Sequence, residues 1–479
     1  GYDYILDRYI DPVSVSDLAV HGLGNLTEID EELIVSYEGE NISLSRKGEF
    51  IGSYHAPGTG DLELWTDLTL EVIENGREKS PQLRQAKAEE IYNAVISGML
   101  KDLDSYSRYA GALDARSNRA SREGFGGIGI QILVEDDDVR IVSVLPDTPA
   151  ERSGLLADDR ITHIEGEPVT GLDIRQVVER LRGKIGSRLE ITVAREDNPE
   201  PLEVSIKRAL IVSMTVSSKI MDGIAYIRIT SFNKRTANGV EDEIEKLLPR
   251  IETGEITGLI LDLRSNPGGL LDQAVDIANL FLENGVIVST DGRHPDSNQR
   301  FEADDEDILD GLPIVVLING NSASASEIVA SALQDQGRAV IVGTNSYGKG
   351  TVQNVITLPN SGELTLTWSR FHAPSGYTLQ GLGVMPTVCT SEDKIDIDAS
   401  GDISVEQIEA AIIRTQEATG DWRSQRVPNE TVIEQLRRVC PAQRKTNELD
   451  IEVAKKILNK NGLYQSAKSL SFPAVAEKN

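Results

Sequence analysis

Three serines separated by single alanines, Ser322-Ala-Ser324-Ala-Ser326-Glu327, lie upstream of a lysine set among glycines, Tyr347-Gly348-Lys349-Gly350-Thr351. A serine hydroxyl is a weak nucleophile until a neighbouring base takes its proton. A lysine amine can be that base only if burial in an apolar pocket brings its pKa down from about 10.4. Together they are the minimal equipment for covalent hydrolysis without histidine. Between Ser324 and Lys349 lie a helix-like stretch and an apolar run, Ala339-Val-Ile-Val342. A helix out and a strand back return the chain near its start, so the two side chains can meet. Each also has a plainer reading. Ser-Ala repeats start helices, with serine capping the first turn, and a lysine in a glycine turn can simply be solvated.

Two further features converge on this pair. Asp262-Leu-Arg-Ser-Asn-Pro-Gly268-Gly269-Leu reads as a strand end turning through glycines into a helix. Such a turn leaves backbone N–H groups accessible to an oxyanion. Ser324 follows a strand and opens a helix, which places it at the carboxyl edge of a sheet, where α/β sites lie. Gln353 stands four residues after Lys349.

A phosphate-binding loop competes for the same lysine. Gly343-Thr-Asn-Ser-Tyr-Gly348-Lys349 has the G-x-x-x-x-G-K spacing and follows an apolar strand. Position 350, however, is Gly where the metal needs Ser or Thr. The next stretch, Thr351-Val-Gln-Asn-Val-Ile-Thr-Leu, is β-branched where a helix should begin. No G-x-S-x-G elbow is present. His21, His55, His163, His294 and His372 are scattered without ligand-like neighbours, so neither a triad nor a metal site is expected. His372 reads as part of a strand end. No cofactor is called for.

The elements that must position these residues come from a chain of 479 residues, long enough for two to four domains. A net charge of −29 lacks the basic footprint of nucleic-acid binding. The acid is widely spread, as on a solvated surface. No apolar run approaches the ~20 residues of a membrane helix. The chain opens on Gly1-Tyr-Asp rather than Met and so reads as trimmed of a targeting segment. Cys389 and Cys440 fit either free buried thiols or one disulfide formed in an oxidising compartment.

Four stretches differ in character. Residues 1–120 are mixed, with a helical pattern at 81–104 carrying Ile91, Val95, Met99 and Leu103 after a Ser80-Pro81 cap. Residues 121–210 hold short strands and two short helices near 149–153 and 174–182. Residues 211–390 alternate apolar runs (Gly258–Leu263, Pro313–Ile318, Val340–Val342) with helical patterns at 235–250, 270–283 and 324–336, the pattern of a largely parallel buried sheet. Residues 391–479 are helix-rich and charged, as an accessory layer would be.

The second stretch resembles a PDZ domain in the permuted arrangement of bacterial proteases. The resemblance rests on Gly127-Ile128-Gly129-Ile130, Asp147-Thr-Pro-Ala-Glu-Arg-Ser-Gly-Leu155 and Asp159-Arg-Ile-Thr-His-Ile-Glu-Gly166. It implies capture of a protein C-terminus as an added strand, with the Gly127–Ile130 amides holding the carboxylate.

Residues 85–390 as a whole resemble the carboxyl-terminal processing peptidases, or tail-specific proteases. The matching stretches occur in family order: Leu103-Asp-Ser-Tyr-Ser-Arg-Tyr109, the PDZ segment, Asp262–Leu271, Ala274-Val-Asp-Ile-Ala, Ser322–Glu327, Ala332-Leu-Gln-Asp335, Gly348–Gln353 and Gly381-Leu-Gly-Val-Met-Pro386. The resemblance implies a multidomain α/β (crotonase-like) serine peptidase core with an inserted PDZ domain and helical N- and C-terminal regions. It implies Ser324 as nucleophile, Lys349 as general base, Gln353 as the residue orienting the lysine, and Gly269 with Ala325 as oxyanion-hole amides. Asp335 falls on a supporting position, and Arg182 on one that would relay ligand binding to the site. The expected partners are proteins or peptides with exposed C-termini, with room for an adaptor protein and a homo-oligomer. The expected setting is periplasmic or otherwise exported, with membrane association compatible. Departures are slight: Ser346-Tyr347 replaces the usual Thr-Phe, and Thr387 stands where Asp is common. A catalytically inactive PDZ-containing scaffold is the second reading, disfavoured by the intact Ser324, Lys349 and Gln353.

Overall fold

The computed structural model describes residues 1–135, 138–304, 306–391, 395 and 403–470. The chain forms two compact units. One comprises Gly1–Arg116, Thr215–Phe232 and Thr236–Asn479; the other comprises Ser117–Met214 with Asn233–Arg235.

From residue 216 the first unit runs β1 (Val216–Met221), β2 (Ile224–Ile229), α1 (Thr236–Glu252), β3 (Leu259–Asp262), α2 (Leu271–Asn279), β4 (Gly285–Asp291), β5 (Gln299–Ala303) and β6 (Ile314–Ile318). It continues with α3 (Ala325–Asp335), β7 (Ala339–Gly343), β8 (Thr351–Thr357), β9 (Glu363–His372) and β10 (Val388–Cys389). Four helices close it: α4 (Val405–Arg423), α5 (Glu430–Arg437), α6 (Glu448–Asn459) and α7 (Asn461–Leu470). The central sheet has the order β1-β2-β3-β6-β7-β10. Only the β1–β2 pairing is antiparallel.

Both faces of the middle of this sheet are covered, and for that reason β3, β6 and β7 are buried and apolar along their lengths. Along β6, Ile314, Val316 and Ile318 pack with Val240, Ile277 and Ile328 of α1–α3. Val315 and Leu317 point the other way, into Ile408, Ala411 and Ile457 of the C-terminal helices. Residues 391–479 are therefore more than an accessory layer: their helices supply one of the two layers burying the sheet.

A second sheet, β5-β4-β9-β8, carries the β8–β9 hairpin and is extended by Arg108–Ala110 against β9. The N-terminal helices and a three-stranded sheet (Leu33–Glu38, Asn41–Arg46, Glu49–His55) share a core with Leu364 and Leu366 of β9. The expected helix at 81–104 is two helices, Pro81–Gln85 and Ala88–Leu100. Ser80 caps the first, accepting the Leu83 N–H at 3.0 Å. Ala86 and Lys87 are extended, and the Glu90 carboxylate accepts the Lys87 N–H, restarting the chain as a new helix.

The second unit has its own core and a sheet ordered Asn198–Lys207, Arg188–Arg195, Arg160–Ile164, Asp138–Val144, Ile130–Glu135. Its two ends are zipped: Phe125–Gly127 pairs antiparallel with Ala209–Ile211. No helix among the described residues is long and apolar enough to cross a membrane.

Candidate active site

Loops leaving the carboxyl ends of β3, β6 and β7 build the site. In the β3 loop Ser265 (φ 59°) and Gly268 (φ 98°) turn the chain. Asn266 locks that turn: its side-chain oxygen accepts the Gly268 N–H and its amide donates to the Ile229 carbonyl, both at 2.9 Å. The Asn266 carbonyl accepts the Ala323 N–H and the Ser326 hydroxyl at 3.0 Å, fastening the glycine turn to the serine segment. A Cβ on Gly268 would stand 2.9 Å from Ser324 Cβ and 3.0 Å from Ala325 N, so glycine is what lets the two segments touch. Phe232 donates to the Gly268 carbonyl and accepts from Leu270 N–H. The Gly269 amide is left outside that ladder. Ala325 is the first residue of α3, where an amide has no intrahelical acceptor.

The three serines sort by environment. Ser322 is fully buried and its hydroxyl donates to the Leu263 carbonyl at 2.8 Å. Ser326 is fully buried and committed to Asn266. Ser324 alone is part-exposed, at φ 56°, ψ −115°, a conformation that residues with a Cβ rarely adopt.

Glu327, one turn into α3, is fully buried. Its Oε2 accepts the N–H of Ser324 (2.7 Å) and of Lys349 (2.9 Å). Its Oε1 accepts the Gly348 N–H (2.6 Å) and the Ser346 hydroxyl. One carboxylate thus draws the serine and lysine loops together. Burial pushes its pKa up, and these four hydrogen bonds oppose that shift. The lysine loop is further tied down by Tyr347 N–H to the Ser322 carbonyl (2.9 Å), Gly381 N–H to the Gly348 carbonyl (2.9 Å) and Val384 N–H to the Ser346 hydroxyl oxygen (2.7 Å). The Gly381–Pro386 stretch serves to hold this loop.

Lys349 is half-buried, its Nζ 5.0 Å from the centroid of the Tyr106 ring. Burial lowers the pKa of its amine and Arg108 lowers it further, while Glu327 and Asp104 pull the other way. Gln353 lies on β8 opposite Thr367, just past an irregularity in the ladder. Its amide donates to Thr351 Oγ1 (2.9 Å) and Thr367 Oγ1 (3.4 Å), and Thr367 donates to Asp104 Oδ1 (3.0 Å). Asp335 ends α3, about 16 Å of helix away from Ser324. There it accepts the Ser375 N–H (3.0 Å) and hydroxyl (2.6 Å) and pairs with Arg423 (2.8 Å).

In the second unit a groove of about 400 Å³ runs between the strand Ile130–Glu135 and the helix Ile174–Leu181. Gly127, Ile128, Gly129 and Ile130 line one end, with Ile174, Val178 and Leu181 opposite. Gly129 (φ 89°) admits no side chain, since a Cβ would meet Thr148 at 2.3 Å. Arg182 stacks on Phe125, 3.8 Å from the ring centroid, and both line the groove.

Sequence reasoning missed Glu327, which three residues after a cap reads as ordinary helix-start acid. It also assigned no role to Asp104, Tyr106 and Arg108, although all three fall within the quoted Leu103–Tyr109 stretch.

Residues 223–390 match peptidase family S41, and residues 126–206 match the PDZ domain family. The carboxy-terminal-processing protease of Bartonella bacilliformis is 42% identical over 299 residues, 62% of this chain and 69% of that protein. The carboxy-terminal processing protease CtpB of Bacillus subtilis is 32% identical over 345 residues, 70% of this chain and 71% of that protein. Among solved structures, a photosystem II D1 C-terminal processing protease aligns with 70% of this chain and 89% of its own, at 26% identity and a TM-score of 0.40. By its identity to the Bartonella and Bacillus proteases and its paired S41 and PDZ matches, this chain belongs to the carboxy-terminal processing proteases, serine-type peptidases of family S41.

Proposed function

We propose that this peptidase works through a Ser324–Lys349 dyad and that its PDZ groove selects protein C-termini. The observation that carries the reading is the Glu327 carboxylate, one oxygen of which accepts the backbone amides of both dyad members. The neutral Lys349 amine takes the proton from the Ser324 hydroxyl as Oγ attacks the scissile carbonyl. The oxyanion faces the amides of Gly269 and Ala325. Lys349 then passes the proton to the leaving amine, and water, activated by the same lysine, releases the acyl group. Gln353, with Thr367 and Asp104, orients the lysine. In the second unit the substrate's last residues add as a strand beside Ile130–Glu135, their carboxylate held by the Gly127–Ile130 amides. Arg182, which stacks on Phe125 in that groove, relays its occupancy. An exported, periplasmic setting fits the bridged Cys389–Cys440 pair.

Hydrolysis of unfolded casein by wild type, Ser324→Ala and Lys349→Ala tests the dyad. Both variants are expected to lose about 10³-fold or more in kcat; equal activity in all three sinks the mechanism. Tail selection is tested with one peptide substrate bearing a free or an amidated C-terminus. Amidation is expected to lower kcat/KM, and identical values would remove the tail from the reading.

A further inference from the structure

Residues 437–450 lie outside the S41 match, yet they touch all three loops that build the site. The Arg437 guanidinium, at the end of α5, donates to the carbonyls of Ser346 (2.8 Å), Gly381 (3.2 Å) and Leu382. The Arg437 carbonyl accepts the Asn345 side-chain amide at 3.3 Å. Further on, the Gln443 carbonyl accepts the Gly320 N–H (2.7 Å), and the Gln443 N–H donates to Thr344 Oγ1 (3.1 Å). The Arg444 carbonyl accepts the Asn321 side-chain amide (3.0 Å). Finally, the Asn447 carbonyl (2.6 Å) and the Asp450 carboxylate (3.0 Å) hold Arg264, two residues before the Asn266 turn. In the middle of this run Cys440 is bridged to Cys389 at the end of β10.

We propose that residues 437–450, closed by the Cys389–Cys440 disulfide, form a strap that positions the general base, with Arg437 as its positioning residue. The route is short. Arg437 holds the Ser346 carbonyl; the Ser346 hydroxyl donates to Glu327; Glu327 accepts the Lys349 N–H. Three carbonyls converge on one guanidinium, which reaches them from two separate nitrogens of a planar fork, whereas an ammonium would have to reach all three from a single nitrogen. The disulfide fixes where the strap crosses the lysine loop, since Cys440 stands three residues after Arg437. The inference rests on the Ser324–Lys349 reading.

The test uses the full chain and steady-state cleavage of a peptide substrate by R437M, R437K, C389A/C440A and, as control, R438M, whose side chain is exposed and pairs with Glu434. R437M and C389A/C440A are expected to lose at least tenfold in kcat with KM within twofold of the parent, and R437K to recover only part of the loss. Combining R437M with C389A/C440A is expected to cost no more than twofold beyond the worse of the two, because both act through one strap. R438M should match the parent. Near-ultraviolet circular dichroism checks folding, and if R437M or C389A/C440A loses the native signal, the kcat of R437K decides. A kcat within twofold of the parent in a folded R437M or R437K, or a loss borne by KM, overturns the strap. Activity surviving in Ser324→Ala overturns the dyad instead, so the two failures are told apart.

Discussion

As the proposed general base, Lys349 could act only when neutral, and its surroundings set the pH at which that happens. Burial and then Arg108 disfavour the ammonium, whereas Glu327 and Asp104 favour it. The rate is therefore expected to rise with pH through an apparent pKa below the ordinary lysine value. Arg108→Gln removes a cation that repels the proton, so its rising limb should move to higher pH. A limb that stays in place would separate Arg108 from the base. The same depression has a stability sign. Between the folded pKa and the ordinary one, the folded state binds fewer protons at Lys349 than the unfolded chain, so stability from this group rises with pH across that window and is lost below it. Glu327→Gln keeps the shape but leaves only one accepting oxygen for four donors, so kcat should fall while substrate binding holds; an unchanged kcat would mean the loops meet without it. At this scale the sequence was partly readable. The family resemblance pointed to the middle serine, but what sets its neighbours apart, the burial of Ser322 and Ser326 against backbone carbonyls, exists only once the β3 loop is in place.

The helix α3 begins on a residue under strain. Ser324 at φ 56°, ψ −115° occupies a region that glycine enters freely and other residues enter at roughly 1–3 kcal/mol. Ser324→Gly is thus expected to be inactive yet more stable than Ser324→Ala by about 1 kcal/mol, read from denaturant midpoints. Equal midpoints would deny that strain is stored at the proposed nucleophile. The glycine turn opposite is the counterpart: a Cβ on Gly269 (φ 153°) would lie 2.0 Å from the Phe232 carbonyl oxygen. Apolar runs located β3, β6 and β7 and the helices between them within a few residues because these three strands are buried on both faces. The break at Ala86–Lys87 was not legible, since the helical spacing of Ile91, Val95 and Met99 lies wholly beyond it and only the Glu90 cap marks where the helix restarts. Nor was the role of the C-terminal helices: their charge marks the solvent face, while Ile408, Ala411, Ile412 and Ile457 lie fully buried beneath.

At the scale of the molecule, the chain joins its parts in two ways. The disulfide closes a separation of 51 residues, which the chain-entropy account values at on the order of 4 kcal/mol. It ties the C-terminal layer to the last strand of the sheet. The second unit is joined differently. It is an insertion whose ends leave side by side, because Ala209, Leu210 and Ile211 pair with Gly127, Gly126 and Phe125. Its core is its own, built around Ile141, Ala150, Val177, Leu189 and Val193, each at most 2% exposed. A segment with a private core and paired ends should fold alone. The fragment 117–214 is therefore expected to unfold in one cooperative thermal transition and to bind a peptide with a free C-terminus but not its amide. Replacing Leu210 with proline removes the Leu210 N–H and distorts the ladder that zips the ends. It should lower the fragment's midpoint while leaving groove residues such as Val178 untouched. A fragment that shows no transition, or binds the amide equally well, would mean that this unit borrows its fold or its ligand site from the rest of the chain.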